Sequence, residues 1–190
     1  MSQVPHIICT DIFKIFKVAD LEVVALRGLD LTIDQGEVVA IVGASGSGKT
    51  TFLNILAGYD KPSAGTIEVT GRDLVHFSDK EAEYYRRSEI GFVWQQTSRN
   101  LFPYLTAFEN VQLPMKLKNL ARGESIKNAA LELLDLVGLK ERAHQIPENL
   151  SGGEQQRTAI AVGLANQPSI LLADEPTGEL DDQTASDILD

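Results

Sequence analysis

The sequence predicts an α/β fold with a mostly parallel sheet as its core, a small antiparallel sheet near the N-terminus and a helical lobe inserted in the middle. Three observations carry this. Leu29, Leu31 and Ile33 alternate with Asp30, Thr32 and Asp34, the period of a half-exposed antiparallel strand. Two continuous apolar runs, Val38–Val42 and Ile170–Ala173, each read as a buried parallel strand. Between them, from residue 106 to about 165, apolar residues recur at helical spacing.

The remaining elements follow in order. Thr50 to Ala57 reads as a helix, and Gly58 ends it at the position just past the C-cap. Ile67 and Val69 resume the strand alternation after a turn at Pro62-Ser63-Ala64-Gly65. Thr106 and Glu109 form a capping box that opens a helix, which Pro114 kinks or ends. Ile126, Ala129, Ala130, Leu133, Leu134 and Val137 share one face of a further helix, stopped by Gly138. Repeats, heptads and low-complexity linkers are absent from the sequence.

A chain of 190 residues suits one domain or one domain plus a lobe, and can bury a core without staples. The net charge of −10 argues against a free nucleic-acid binder and against adhesion to bulk anionic lipid, since both favour clustered Lys and Arg. Only short basic clusters such as Arg86-Arg87 occur. Cys9 is the single cysteine, so no internal disulfide can form. Its apolar context, Ile7-Ile8-Cys9, marks an inert core thiol, in keeping with a reducing compartment. The start does not resemble a signal peptide, and no run is long and apolar enough to span a bilayer. A membrane role is therefore expected to act through a partner.

Three segments carry chemistry. Gly43-Ala44-Ser45-Gly46-Ser47-Gly48-Lys49-Thr50 matches the phosphate-binding pattern G-x-x-x-x-G-K-[ST]. The glycines let successive backbone N–H groups face phosphate oxygens, and the helix that follows aims its positive end at the same place. Lys49 is expected to reach the β- and γ-phosphates and the Thr50 hydroxyl to ligate Mg²⁺. Thr51 falls in the same nucleotide-binding stretch, although the spacing assigns the metal to Thr50. With a strand before it and a helix after it, a chance Gly-rich turn is the poorer explanation, and the fold becomes a P-loop NTPase core.

Asp174 and Glu175 follow the run Ile170–Ala173. A carboxylate at the carboxyl end of a parallel strand near such a loop is placed to hold Mg²⁺. Glu175, facing the other way, can act as general base toward the attacking water. On Asp174-Glu175-Pro176 alone, a charged turn would be the preferred reading; the phosphate loop reverses the preference.

Ser151-Gly152-Gly153-Glu154 is a helix start in which Ser151 is the N-cap and Glu154 completes a capping box. A plain helix start explains those two residues. It makes little use of two adjacent glycines, which weaken a helix. Bare amides at Gly152 and Gly153 suit a second phosphate contact, supplied to nucleotide held by another subunit.

These residues together resemble the nucleotide-binding domain of an ATP-binding cassette (ABC) protein over essentially the whole chain. The resemblance implies that Gly43–Thr50 is the Walker A loop, Ile170–Asp174 Walker B, Glu175 the catalytic glutamate and Leu150–Gln155 the signature, with Glu154 where many members carry Gln. Gln95, ending Ile90-Gly91-Phe92-Val93-Trp94-Gln95, matches the Q-loop glutamine, implied to contact Mg²⁺ and attacking water and to sense a membrane partner. Gly178-Glu179-Leu180-Asp181 matches the D-loop. Phe16 falls where an aromatic stacks on adenine; a core phenylalanine is the competing reading. The domain plan implied is one ABC ATPase domain, with core and antiparallel subdomain in 1–95 and 166–190 and a helical subdomain carrying the signature in 96–165.

The branch most resembled contains lipoprotein-releasing, macrolide-efflux and cell-division-type cassettes. The cues include Ala107-Phe108-Glu109-Asn110-Val111 and Pro176-Thr177-Gly178. The segment Gln96-Thr97-Ser98-Arg99 is slightly longer than usual. Family members carry a switch histidine beyond Walker B. Here His6, His76 and His144 all precede it and the chain stops at Asp190, so a C-terminally truncated domain is expected. The resemblance implies an ATP-binding and ATP-hydrolysing subunit that dimerises head to tail with Mg²⁺-ATP and drives a separate membrane subunit from the cytoplasmic face of the membrane. A non-transport mechanical switch with little hydrolysis is the alternative. A P-loop kinase or small GTPase would leave Ser151–Gly153 unexplained.

Overall fold

The computed structural model describes residues 5–19, 21–118 and 124–176, in two compact units, Met1–Glu83 and Tyr84–Asp190.

The first unit is built on a four-stranded antiparallel sheet. Strands β1 (Pro5–Val18), β2 (Leu21–Asp34), β3 (Ala64–Val69) and β4 (Arg72–Asp73) lie in the order β2-β1-β3-β4. The alternation read from the sequence holds in β2, where Leu29, Leu31 and Ile33 are half-buried or better and Asp30 and Thr32 are exposed. Ile67 and Val69 of β3 are fully buried. Ala64 and Gly65 belong to β3, so the turn before it is shorter than expected. Helix α1 (Lys49–Leu56) buries Phe52, Leu53, Ile55 and Leu56. It ends as expected at Gly58, whose φ is 68°: Gly58 N–H donates to Ile55 O and Tyr59 N–H to Asn54 O, at 3.0 and 2.9 Å, the paired bonds of a Schellman stop. Cys9 is buried as predicted, and burial pushes its thiol up to about 11.

One expectation fails in this unit. Val38–Val42 is not a buried strand: Val38 is 97% and Val42 89% exposed, and residues 37–44 pair with no strand among the described residues. An apolar run of this kind becomes a buried strand only with neighbours on its edges and cover on both faces. The antiparallel sheet offers it neither.

Helix α2 (Asp79–Ser88) opens with a capping box. Ser78 N–H donates to the Glu81 carboxylate at 2.8 Å and Glu81 N–H to Ser78 Oγ at 3.4 Å.

In the second unit β5 (Ile90–Val93) and β6 (Ile170–Ala173) pair in parallel, Ile90 opposite Ile170 and Val93 opposite Ala173. Helices α3 (Ala107–Lys118), α4 (Glu124–Leu136) and α5 (Gly152–Leu164) share a core of Val111, Met115, Ile126, Ala130, Leu134, Leu139 and Ala161. The Thr106–Glu109 capping box forms, and Gly138 ends α4 with a second Schellman pair. Pro114 does not end α3, which continues through it to Lys118. There the Lys118 ammonium donates to Ser88 O and Asn166 O. β6 is buried on one face only: Ile170 and Leu172 are buried, whereas Leu171 is 46% exposed. β5 is its single neighbour among the described residues.

Two glycines let α5 lie directly on β5. A Cβ on Gly91 would come within 2.3 Å of Gly163 O, and one on Gly163 within 3.3 Å of a Val93 methyl. This close approach fixes the axis of α5, and so the place of its first turn, against the strand that leads to Gln95.

Candidate functional site: a phosphate loop and a signature helix

The first unit carries the loop Gly43–Thr50. It turns on a bond from Ser47 N–H to Ala44 O at 3.1 Å. Gly48 is the N-cap of α1 with φ 93°, and a Cβ there would lie 2.5 Å from Ala25 O, so only glycine fits. The Lys49 ammonium folds back over the loop, donating to Gly43 O and Ala44 O at 3.0 and 3.3 Å. Thr50 and Thr51 follow in the first turn.

The start of α1 differs from the other helix starts that open on a box. α2, α3 and α5 each begin with a Ser or Thr cap and a Glu that returns to it. α1 has no side-chain cap and no acidic residue in its first turn. Its positive end is therefore not neutralised by its own first turn, the condition an incoming anion needs. The residues present fit a phosphate chain.

Phe16, on β1, is 38% exposed, which removes the core reading. The Lys14 ammonium lies 4.9 Å from its ring centroid.

The second unit brings Gln95, Asp174 and Glu175 to one edge. β5 and β6 end in register, and Gln95 and Asp174 follow at their carboxyl ends. Asp174 is 7% exposed; Gln95 and Glu175 are exposed. Glu175 has φ 48°, a left-handed conformation that costs a non-glycine residue about 1–2 kcal/mol and turns the chain away from the strand direction just before Pro176. A carboxylate, a hydroxyl and a carboxamide oxygen are hard donors, the type that Mg²⁺ takes. Asp174 and Gln95 in this unit, and separately the Thr50 hydroxyl in the first, are donors of that kind.

Ser151 caps α5. Its Oγ accepts from Glu154 N–H at 3.2 Å, and its own N–H donates to Glu154 Oε2 at 2.8 Å. The hydroxyl proton of Ser151 is not consumed by this box. A Cβ on Gly152 would meet nothing within 4 Å, so packing among the described residues gives no reason for glycine there. Asp181 lies outside the described residues.

Several supporting residues were not singled out from the sequence. Gln155 Nε2 donates to Pro147 O and Leu150 O, and its Oε1 accepts from Thr97 Oγ1 at 3.3 Å. This ties the signature helix to the segment after Gln95. Asn100 bridges Trp94 N–H and Phe92 O. Asn110, 2% exposed, accepts from Phe102 N–H and donates toward Phe102, Leu105 and Thr106 carbonyls. The first amides of α3 donate to Gln145 O and Ala143 O, anchoring the stretch that leads into the signature. An asparagine among apolar neighbours at helical spacing was the available signal for Asn110; the Gln155 bonds had none.

A profile of the ABC transporter family matches residues 26–178. The chain belongs to this family. An uncharacterized ABC transporter ATP-binding protein of Thermotoga maritima is 47% identical over 180 residues, covering 95% of this chain and 76% of that protein. The lipoprotein-releasing system ATP-binding protein LolD of Saccharophagus degradans is 44% identical, over 97% of this chain and 79% of its own length. Among solved structures, the dimeric post-hydrolysis state of the ATP-binding cassette MJ0796 bound to ADP and Pi superposes with a TM-score of 0.88 at 42% identity, covering 96% of this chain and 79% of that one. As an ABC ATP-binding protein the chain is an ATPase, with the mixed α/β fold and antiparallel N-terminal sheet expected of it.

Proposed function

We propose that this ABC ATPase is the ATP-hydrolysing subunit of a transporter, working as a head-to-tail dimer on the cytoplasmic face of a membrane. The core and antiparallel subdomain are assigned to 1–95 and 166–190 and the helical subdomain to 96–165. No helix among the described residues is long and apolar enough to cross a bilayer; on this reading a separate membrane subunit senses the motion. The relatives named for lipoprotein release and the dimeric MJ0796 structures support this reading.

The observation that carries it is a pair of complementary helix starts. α1 begins without a side-chain cap or acidic first turn, beneath a loop that Lys49 crosses. α5 begins with an exposed Ser151 and an unhindered Gly152. The amides of Gly43 to Thr50 hold the phosphate chain of ATP, Lys49 adds its charge to the β- and γ-oxygens, and Phe16 offers its ring to the adenine. Ser151, Gly152 and Gly153 of a second copy cover the open side of the γ-phosphate. Thr50, Asp174 and Gln95 hold Mg²⁺, which when bound neutralises charge developing on the phosphate oxygens. Glu175 takes the proton of the attacking water. Closure by ATP and opening after hydrolysis follow from each state's differential affinity for nucleotide. Asp181 is assigned to the dimer interface by its motif.

Lys49→Ala tests the phosphate loop. Nucleotide titration of that variant is expected to show ATP affinity reduced at least about a hundredfold, the loss of a charge-assisted contact in a shielded site. Unchanged affinity would contradict the assignment.

A further inference from the structure

A third residue, from the segment Lys140–Arg142 that precedes α5, reaches its first turn without being needed by the capping box. Arg142 Nε donates to Glu154 Oε1 at 3.2 Å, while Glu154 Oε2 accepts the Ser151 amide. Both carboxylate oxygens are therefore engaged, one by a cation and one by the residue at the helix start. A Glu at this position brings a full negative charge within one helical turn of the place where, on the reading above, a triphosphate arrives. A Gln would complete the same box without that charge.

The Arg142 side chain is 57% exposed. The Glu154 side chain is 19% exposed; a pair open on its cationic side adds modestly to folding stability. Its electrostatic consequence at an anion-binding helix start is larger, because an unpaired carboxylate there neutralises the positive helix end and repels the incoming phosphate.

We propose that Arg142 is a positioning residue of the composite ATP site: by pairing with Glu154 it cancels the carboxylate's charge and steadies the Ser151 amide, so the signature turn of one copy can close on the nucleotide of the other. The proposal rests on the head-to-tail reading of Ser151–Gly153. Arg142 does not touch nucleotide; it acts through Glu154. The pair is a local solution to carrying Glu, rather than Gln, in the signature.

The test measures ATP-driven dimerisation of the full-length protein by light scattering, in an otherwise constant Glu175→Gln background. Arg142→Ala and the gentler Arg142→Gln are each made with Glu154 and with Glu154→Gln. With Glu154 present, loss of Arg142 is expected to raise the ATP concentration for half-maximal dimer roughly fivefold, less so at high salt, while Arg142→Lys restores most of it. With Glu154→Gln the same change is expected to shift it by less than about twofold, because no bare carboxylate remains. Within each background, with Glu154 or with Glu154→Gln, melting temperatures with and without Arg142 are expected to stay close. An equal shift in both backgrounds, or no shift in either, overturns the proposal and leaves the signature reading standing. If the protein with Arg142 and Glu154 intact does not dimerise on ATP, the head-to-tail reading fails and this proposal fails with it.

Discussion

The amide of Asp174 donates to the carbonyl of Val93 at 2.9 Å, so the β5–β6 ladder extends one bond past the last paired residues. That bond fixes Asp174 at the carboxyl edge of the pair, level with the start of the segment holding Gln95. Asp174→Asn keeps the backbone bond and the shape but removes the charge. It is expected to leave the melting temperature nearly unchanged and to cut Mg²⁺-dependent turnover by at least about a hundredfold, the scale of losing a charged metal ligand. A steady-state ATPase assay across a Mg²⁺ titration checks this.

Gly91 lies under Gly163, where an added Cβ would come within 2.3 Å of a backbone oxygen. Backbone cannot rotate away as a side chain can, so Gly91→Ala must push α5 off β5. The expected cost is about 2–4 kcal/mol, in the range for overpacked or broken cores. Gly152→Ala, where a Cβ meets nothing, is expected to keep or slightly raise stability. Denaturant midpoints of the two variants should move in opposite directions or differ widely.

The hydrogen bond from the Ser151 amide holds the Glu154 carboxyl below its ordinary value of 4.5, with Arg142 adding to the effect. A folded-state pKa below the unfolded one stabilises the fold above the unfolded value, and that contribution is lost as pH falls through the folded value. Glu154 therefore contributes at neutral pH and stops contributing in acid, below 4.5. Denaturant midpoints recorded from neutral to acid pH should fall less steeply for Glu154→Gln than for the parent.

The phosphate loop, both Schellman stops and the capping boxes at Thr106 and Ser151 were legible because each depends on a few residues adjacent in the chain. Val38–Val42 was misread because burial of an apolar run is a property of its neighbours. The run was right for a strand, yet no partner pairs with it among the described residues. Of the two outcomes read for Pro114, a kink or an end, the end does not occur, since α3 continues to Lys118 and packs against α4 and α5 despite one lost backbone bond. The exposure of Phe16 could not be told from its identity, because an aromatic on a strand suits either face. The Arg142–Glu154 pair joins residues 12 positions apart and the Gln155 bonds join residues 58, 8 and 5 apart, and no local periodicity marks them.

The central claim is that Ser151–Gly153 serves nucleotide bound by another copy. Gly152→Asp places a carboxylate at a position of that turn where an added Cβ meets nothing within 4 Å. In a Glu175→Gln background, light scattering with ATP should show a dimer for the parent and a monomer for the Gly152→Asp variant, with the monomer's own ATP affinity unchanged. A Gly152→Asp variant that still dimerises on ATP, or whose monomer loses affinity for ATP, would contradict the account.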